Sequence, residues 1–121
     1  MTQTVLVVED ERPVRELLAA SLEASGLRVL QAFHGRHALE VVARERPDLI
    51  VSDVMMPLVG GVELCQSLKA NPETAAIPIV LMSAAGITAG AAASADAVVA
   101  KPFDLDVMDA LVHRLLTAAV A

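Results

Sequence analysis

Aromatic residues are nearly absent from this chain, which has no Trp, no Tyr and only Phe33 and Phe103 among its 121 residues. Basic residues are few as well, nine against fifteen acidic ones, for a formal charge of −6. A surface with that balance repels phosphate backbones, and without aromatic platforms it offers bases nothing to stack on. Direct nucleic-acid binding is therefore not expected. Cysteine occurs once, at Cys65, which excludes an intramolecular disulfide and any zinc site built from several thiolates. The start, MTQTVLVVEDE, runs straight into acidic residues with no basic segment before an apolar one, so no secretory signal is expected and a soluble, cytoplasmic protein is. The stretch Thr74 to Ala95 carries no charge, is long enough to cross a bilayer, and contains the small-residue pattern Gly86-Ile87-Thr88-Ala89-Gly90. Pro78, the glycines and the many alanines give it little hydrophobic gain, however, and its one strongly apolar run, Ile77–Met82, has the length of a strand. No membrane span is expected.

With 55% hydrophobic and 20% charged residues, the chain can build a packed core, and its length suits one domain over 1–121. Short apolar runs alternate with longer amphipathic ones. Thr4–Val8 reads as a strand that stops at Glu9-Asp10-Glu11. Pro13 then suits the first turn of a helix, with Val14, Leu17, Leu18 and Leu22 on its inner face and Ser25-Gly26 at its end. Leu27–Ala32 is a second strand, and Gly35–Arg46 a second helix with Ala38, Leu39, Val42 and Ala43 inward, broken at Arg46-Pro47-Asp48. Leu49-Ile50-Val51, apolar without interruption, is a strand buried on both faces and ends in Ser52-Asp53. After the loop Val54–Gly60 comes a helix from Gly61 to Ala70 with Leu64, Cys65 and Leu68 inward. Ile77–Met82 and Ala97–Ala100 are the last two strands. Asp104–Ala118 is a final helix, capped by Asp104 and buried along Leu105, Met108, Leu111, Val112 and Leu115. Five strands alternating with helices imply an α/β fold, a five-stranded parallel sheet covered on both faces with right-handed crossovers.

In such sheets ligands sit beyond the carboxyl ends of the strands. The residues at those ends are Glu9 and Asp10, then Asp53, Ser83 and Lys101. Three carboxylates, a hydroxyl and an ammonium thus converge on one edge. Three negative charges in one pocket repel, and a hard divalent cation with oxygen ligands would compensate them, Lys101 serving as a fixed counter-charge. Mg2+ suits the site because it takes one or two carboxylates and keeps positions for water or phosphate oxygens. The plainer alternative is a solvated acidic rim.

Val7-Val8-Glu9-Asp10-Glu11, the run Asp48-Leu49-Ile50-Val51-Ser52-Asp53-Val54-Met55-Met56-Pro57, Gly60-Gly61-Val62-Glu63-Leu64 and Lys101-Pro102-Phe103 resemble, in order and over essentially the whole chain, the CheY-like receiver domain of two-component response regulators. The resemblance implies the strand order 2-1-3-4-5. It implies that Asp53 accepts a phosphoryl group from a phosphohistidine on a sensor histidine kinase or phosphotransfer protein. Asp10 and Asp53 would bind Mg2+ directly, the backbone carbonyl of Met55 would be a further ligand, and Glu9 would act through water. Lys101 would contact a phosphoryl oxygen, and Ser83 would reorient to donate a hydrogen bond to the new group. A cis Lys101-Pro102 peptide is implied too. Such a domain signals through contacts with a downstream protein that the sequence does not identify, with homodimerisation open. It is not an enzyme, although it takes part in its own phosphorylation and dephosphorylation. No output domain accompanies it within 1–121, unless the chain is cut from a longer one.

Other conspicuous residues have simpler readings. Glu11 opens the first helix, Ser52 points into the sheet, Cys65 is a small buried group, and His34, His37 and His113 lie at the surface. Met55 and Met56 fill core and loop, and Phe103 anchors the segment after Lys101-Pro102.

Two features depart from the family. Three residues before the lysine, where the family usually carries an aromatic, stands Val98, too small and too stiff at its one side-chain torsion to swing inward in the same way. The segment from Ser83 to Lys101 is short by about one helical turn, holds Gly86 and Gly90, and has Asp96 as its only charge before the lysine. A short or irregular fourth helix is expected there, mobile across Ala84–Ala95 in a monomer and offering an apolar face to a partner. These departures keep a rival open, a receiver-like interaction module whose contacts do not depend on phosphate. A phosphatase with an aspartyl nucleophile would want a second acid where Met55 stands. A flavin binder would want a hydroxyl-rich loop after the first strand and an aromatic to stack on the ring.

Overall fold

The computed structural model describes residues 2–56, 58–84 and 89–120. Five strands, β1 (Thr4–Val8), β2 (Arg28–Ala32), β3 (Leu49–Asp53), β4 (Ile79–Ser83) and β5 (Ala97–Ala100), form one sheet in the order β2-β1-β3-β4-β5. Every pairing is parallel. The three inner strands are buried along their whole length, as continuous β-branched and apolar runs require when helices cover both faces. The edge strands β2 and β5 are only partly covered.

Alternation along the strands divides the core into two layers. Val5, Val7, Leu49, Val51, Val80 and Met82 face α1 (Arg12–Ala24) and α5 (Leu105–Val120), which contribute Leu18, Leu22, Met108, Val112 and Leu116. Leu6, Val8, Ile50, Ile79 and Leu81 face α2 (Gly35–Arg44), α3 (Gly61–Ala70) and the six-residue α4 (Ala89–Ser94), with Ala38, Val42, Leu64, Leu68 and Ala91. The short fourth helix is thus present at Ala89–Ser94. Ala85 to Thr88, on which most of the Gly86–Gly90 pattern and part of the mobility expectation fall, lie outside the described residues, as does Pro57. No helix of the described residues is long and apolar enough to cross a membrane.

Several boundaries and faces differ from the sequence expectation, each for a local reason. Gly26 takes φ +96 and the Leu27 N–H returns to the Leu22 carbonyl at 3.3 Å, so Leu27 closes α1 and the strand starts at Arg28. Helix α2 ends at Arg44, with Glu45 already extended at φ −147, because Arg46 precedes a proline. Ile77 is buried, but Pro78 has no N–H to give the ladder, and β4 begins after it. Helix α5 runs on to Val120, so the fully buried Leu116 joins its inner stripe, while Leu105, Leu111 and Leu115 are only half-buried. Asp104 does cap it, its Oδ1 accepting from the Asp106 N–H at 2.7 Å. Leu17 and Ala43, expected inward, are exposed, and Arg15 takes the inner face of α1 in place of Leu17.

Candidate functional site

The carboxyl ends of β1, β3 and β5 bring three acids and one base together. Glu9 follows β1 and is completely buried, Asp53 is the last residue of β3 and 6% exposed, and Asp10 is exposed at the rim. One carboxylate oxygen from each lies within 4.8 Å of the others. Lys101, immediately after β5, reaches across the sheet edge and places Nζ 2.6 Å from Glu9 Oε1 and 3.1 Å from Asp53 Oδ1. The Lys101–Pro102 peptide is cis, as the resemblance implies. Ser83 ends β4, is nearly fully buried, and accepts the Lys101 N–H on its carbonyl at 2.9 Å, which ties the hydroxyl-bearing residue to the base of the lysine.

The loop after β3 is held by backbone. The Val54 N–H reaches the Met82 carbonyl at 2.9 Å and the Gly61 N–H reaches the Val54 carbonyl at 3.0 Å. A Cβ on Gly61 would fall 2.3 Å from the Asp53 carbonyl, so only glycine lets α3 start this close to the acid. Met55, expected to fill core or loop, instead exposes 71% of its surface, while Met56 packs partly against the core. With its side chain in solvent, Met55 has only its backbone to offer the site.

Burial dominates the electrostatics. It pushes the Asp53 carboxyl above its ordinary value of 3.8, against the hydrogen bond and charge of Lys101 and with the added push of Asp10. Burial raises Glu9 likewise; Lys101 works against it, the charge on Asp53 adds to it, and the Glu11 N–H, 3.3 Å from Glu9 Oε2, offsets part. For Lys101, burial works against the ammonium, but its hydrogen bonds and charge contacts with Glu9 and Asp53 prevail and hold it protonated. One ammonium against three carboxylates leaves the pocket negative. That imbalance, carried entirely by hard oxygen donors, fits a divalent cation such as Mg2+ and suits no soft metal.

The other singled-out residues lie apart from this cluster. His34 caps α2, its Nδ1 accepting the His37 N–H at 3.1 Å, and His37 Nδ1 accepts the Phe33 N–H at 3.2 Å. His113 sits 2.9 Å from Ser25 Oγ between α1 and α5. Ser52 is buried with Oγ on the Asp53 carbonyl, and Cys65 is buried with Sγ 2.6 Å from the Ser94 carbonyl, burial pushing its thiol pKa up. Phe103 packs partly on the core and, with Val14, Leu17, Leu18, Ala84 and Pro102, lines an apolar cleft of about 400 Å³ beside Lys101. That cleft accounts for the exposure of Leu17. Sequence reasoning missed Arg15, whose guanidinium donates to the Glu9 carbonyl at 2.9 Å; its signal was a cation three and seven residues before Leu18 and Leu22 on the same helix face.

The chain as a whole is similar to known proteins. The family model described as the response regulator receiver domain matches residues 5–113. The response regulator MprA of Mycolicibacterium vanbaalenii is 40% identical over 120 residues, covering 96% of this chain and 51% of that protein. The phosphate regulon transcriptional regulatory protein PhoB of Pseudomonas aeruginosa is 38% identical over 105 residues, covering 84% of this chain and 46% of its own. The chain therefore spans about half the length of the curated relatives it matches. Among solved structures, the signal receiver domain of a signal transduction histidine kinase from Syntrophus aciditrophicus superimposes with a TM-score of 0.89 at 34% identity, over 97% of this chain and 92% of that one. The chemotaxis response regulator CheY4 of Vibrio cholerae gives 0.87 at 27% identity, over 95% and 99%.

Proposed function

Because this chain belongs to the response regulator receiver family of two-component signalling, we propose that residues 1–121 act as one receiver domain and that Asp53 is its phosphoacceptor. The observation that carries the reading is the bridge of Lys101 Nζ between Glu9 and Asp53 at the carboxyl edge of the sheet. An Asp53 carboxylate oxygen attacks the phosphorus of a phosphohistidine on a sensor kinase or phosphotransfer protein. The new O–P bond forms as the N–P bond breaks, and its electron pair returns to the imidazole nitrogen. Lys101 favours the ionised carboxylate before transfer, against the effect of burial, and stands beside the oxygens that arrive on it. Ser83, next to Lys101 at the end of the neighbouring strand, donates its hydroxyl to the new phosphoryl group and couples it to the segment behind β4. Asp10, Asp53, the Met55 carbonyl and, through water, Glu9 would hold Mg2+, which when bound neutralises charge on the transferring phosphoryl oxygens. The chain's own chemistry ends with its modification, so it serves as a signalling domain in the cytoplasm, acting on a downstream protein.

Val98 supports a second reading, partner binding indifferent to phosphate, since the residue is half-buried against the α3 side of the core and has no aromatic ring to move. Intact mass after incubation with acetyl phosphate tests the first reading. One added phosphoryl group that requires both Mg2+ and Asp53, and is lost in Asp53→Asn, is expected. A folded protein that gains nothing under these conditions overturns it and leaves the second.

A further inference from the structure

Arg15 is a guanidinium buried to 7% exposure on the inner face of α1. Among the described residues it forms no ion pair with a carboxylate. Its hydrogen bonds go to neutral groups: an NH1 proton is donated to the Glu9 carbonyl at 2.9 Å, Nε donates to Gln31 Oε1 at 3.1 Å, and Cζ lies 4.5 Å from the centre of the Phe33 ring. Burying a cation costs several kcal/mol in general, so contacts this specific call for a role.

The peptide between Glu9 and Asp10 supplies one. Successive side chains on a strand point to opposite faces, yet the carboxylates of these consecutive residues both reach the Asp53 carboxylate. The chain must leave the extended path between them. The Glu9 N–H is still held as in a strand, by the Ala32 carbonyl of β2 at 3.1 Å. Its carbonyl has left the ladder and is taken by Arg15. With both backbone groups of Glu9 fixed, one by β2 and one by α1, Asp10 has little freedom left except its own torsions. A planar fork suits this task better than an ammonium, because it can bond Glu9 and Gln31 at once while Phe33 covers its face.

We propose that Arg15 is a positioning residue for the acidic site, fixing the Glu9–Asp10 peptide so that both carboxylates converge with Asp53 on a divalent cation. The inference rests on the reading of this site as a Mg2+ site. Its test is a Mg2+ titration followed by backbone amide resonances, with wild type, Arg15→Met, which keeps the apolar stem, and Arg15→Lys, which keeps the charge. Arg15→Met is expected to weaken Mg2+ about tenfold or more, as loss of a group that orients metal ligands does, and to shift the Asp10 amide in the metal-free protein. Arg15→Lys is expected to recover part of the affinity. An Arg15→Met protein with a lower Tm but unchanged Mg2+ affinity and an unmoved Asp10 resonance overturns the proposal. If Arg15→Met does not fold, Arg15→Lys decides: a weakening of about threefold or more with a shifted Asp10 amide supports the role, and wild-type values overturn it. Failure of wild type to bind Mg2+ would refute the metal reading itself, and the metal-free Asp10 resonance would then decide whether Arg15 sets this peptide.

Discussion

At the scale of single residues, burial makes the ionised Asp53 carboxylate a destabilising group in the metal-free protein, and the sign of that effect can be measured. The Asp53 carboxyl is held above its ordinary 3.8 by burial first. A folded-state pKa above the unfolded one means that the folded chain binds this proton more tightly. The destabilisation is therefore full above the raised pKa and fades as pH falls from there toward 3.8. In chelator at neutral pH, Asp53→Asn is expected to raise Tm, by roughly 4 °C per kcal/mol relieved in a domain of this size. That advantage is expected to shrink as pH is lowered through the raised range. A Tm gain that stays constant with pH would assign the effect to packing. Met55→Ala, by contrast, removes a side chain already 71% in solvent, and Mg2+ affinity measured by titration is expected to stay within about twofold, because the offered ligand is the backbone. The acids, Ser83 and Lys101 were legible in the sequence because each stands within two residues of the end of an apolar run. Arg15 was not, because a charged residue on a helix is ordinarily assigned to solvent, and only the approach of α1 to the end of β1 gives it a carbonyl to hold.

At the scale of elements, three glycines separate close packing from mere permissiveness. A Cβ on Gly61 would lie 2.3 Å from the Asp53 carbonyl, and one on Gly35 would lie 2.2 Å from the Val59 carbonyl. Both obstacles are backbone. Gly61→Ala and Gly35→Ala are each expected to cost about 1–3 kcal/mol in urea unfolding, as overpacking does, and Gly61→Ala should also slow phosphorylation because it displaces Asp53. Gly90 in α4 has open space around its Cα, so Gly90→Ala is expected to stabilise by up to about 1 kcal/mol. Equal effects at the three positions would contradict the packing account. The glycine at the start of α3 was readable as a loop–helix boundary, but its contact with Asp53 depends on two elements meeting. The same limit explains the misplaced faces. Leu17 looked inward by helical period, whereas the fold leaves it at the rim of the cleft beside Phe103, and α2 stops two residues early because of the proline that follows it.

At the scale of the whole molecule, a sheet with its inner strands buried on both sides holds Glu9, Asp53 and Lys101 on rigid strand ends, and the flanking helices need only keep it dry. The architecture was legible because the periods of two and of 3.6 residues alternate cleanly along the chain. Less legible were the half-covered edge strands, since whether a strand is central depends on sheet order rather than on its own residues. A cation that binds only the folded chain must stabilise it. Mg2+ at a hundredfold excess over its Kd is expected to add about 2.7 kcal/mol to unfolding, and Asp10→Ala should abolish most of that gain. The central claim, a phosphoryl bond to one particular carboxylate, is tested most directly by locating the bond. Protein treated with acetyl phosphate and Mg2+ is reduced with borohydride, which converts an acyl phosphate to the alcohol, and then digested and sequenced by mass spectrometry. Homoserine at position 53 alone is the predicted result; homoserine at position 10, or aspartate retained at 53 in protein whose intact mass shows a phosphoryl group, would contradict it.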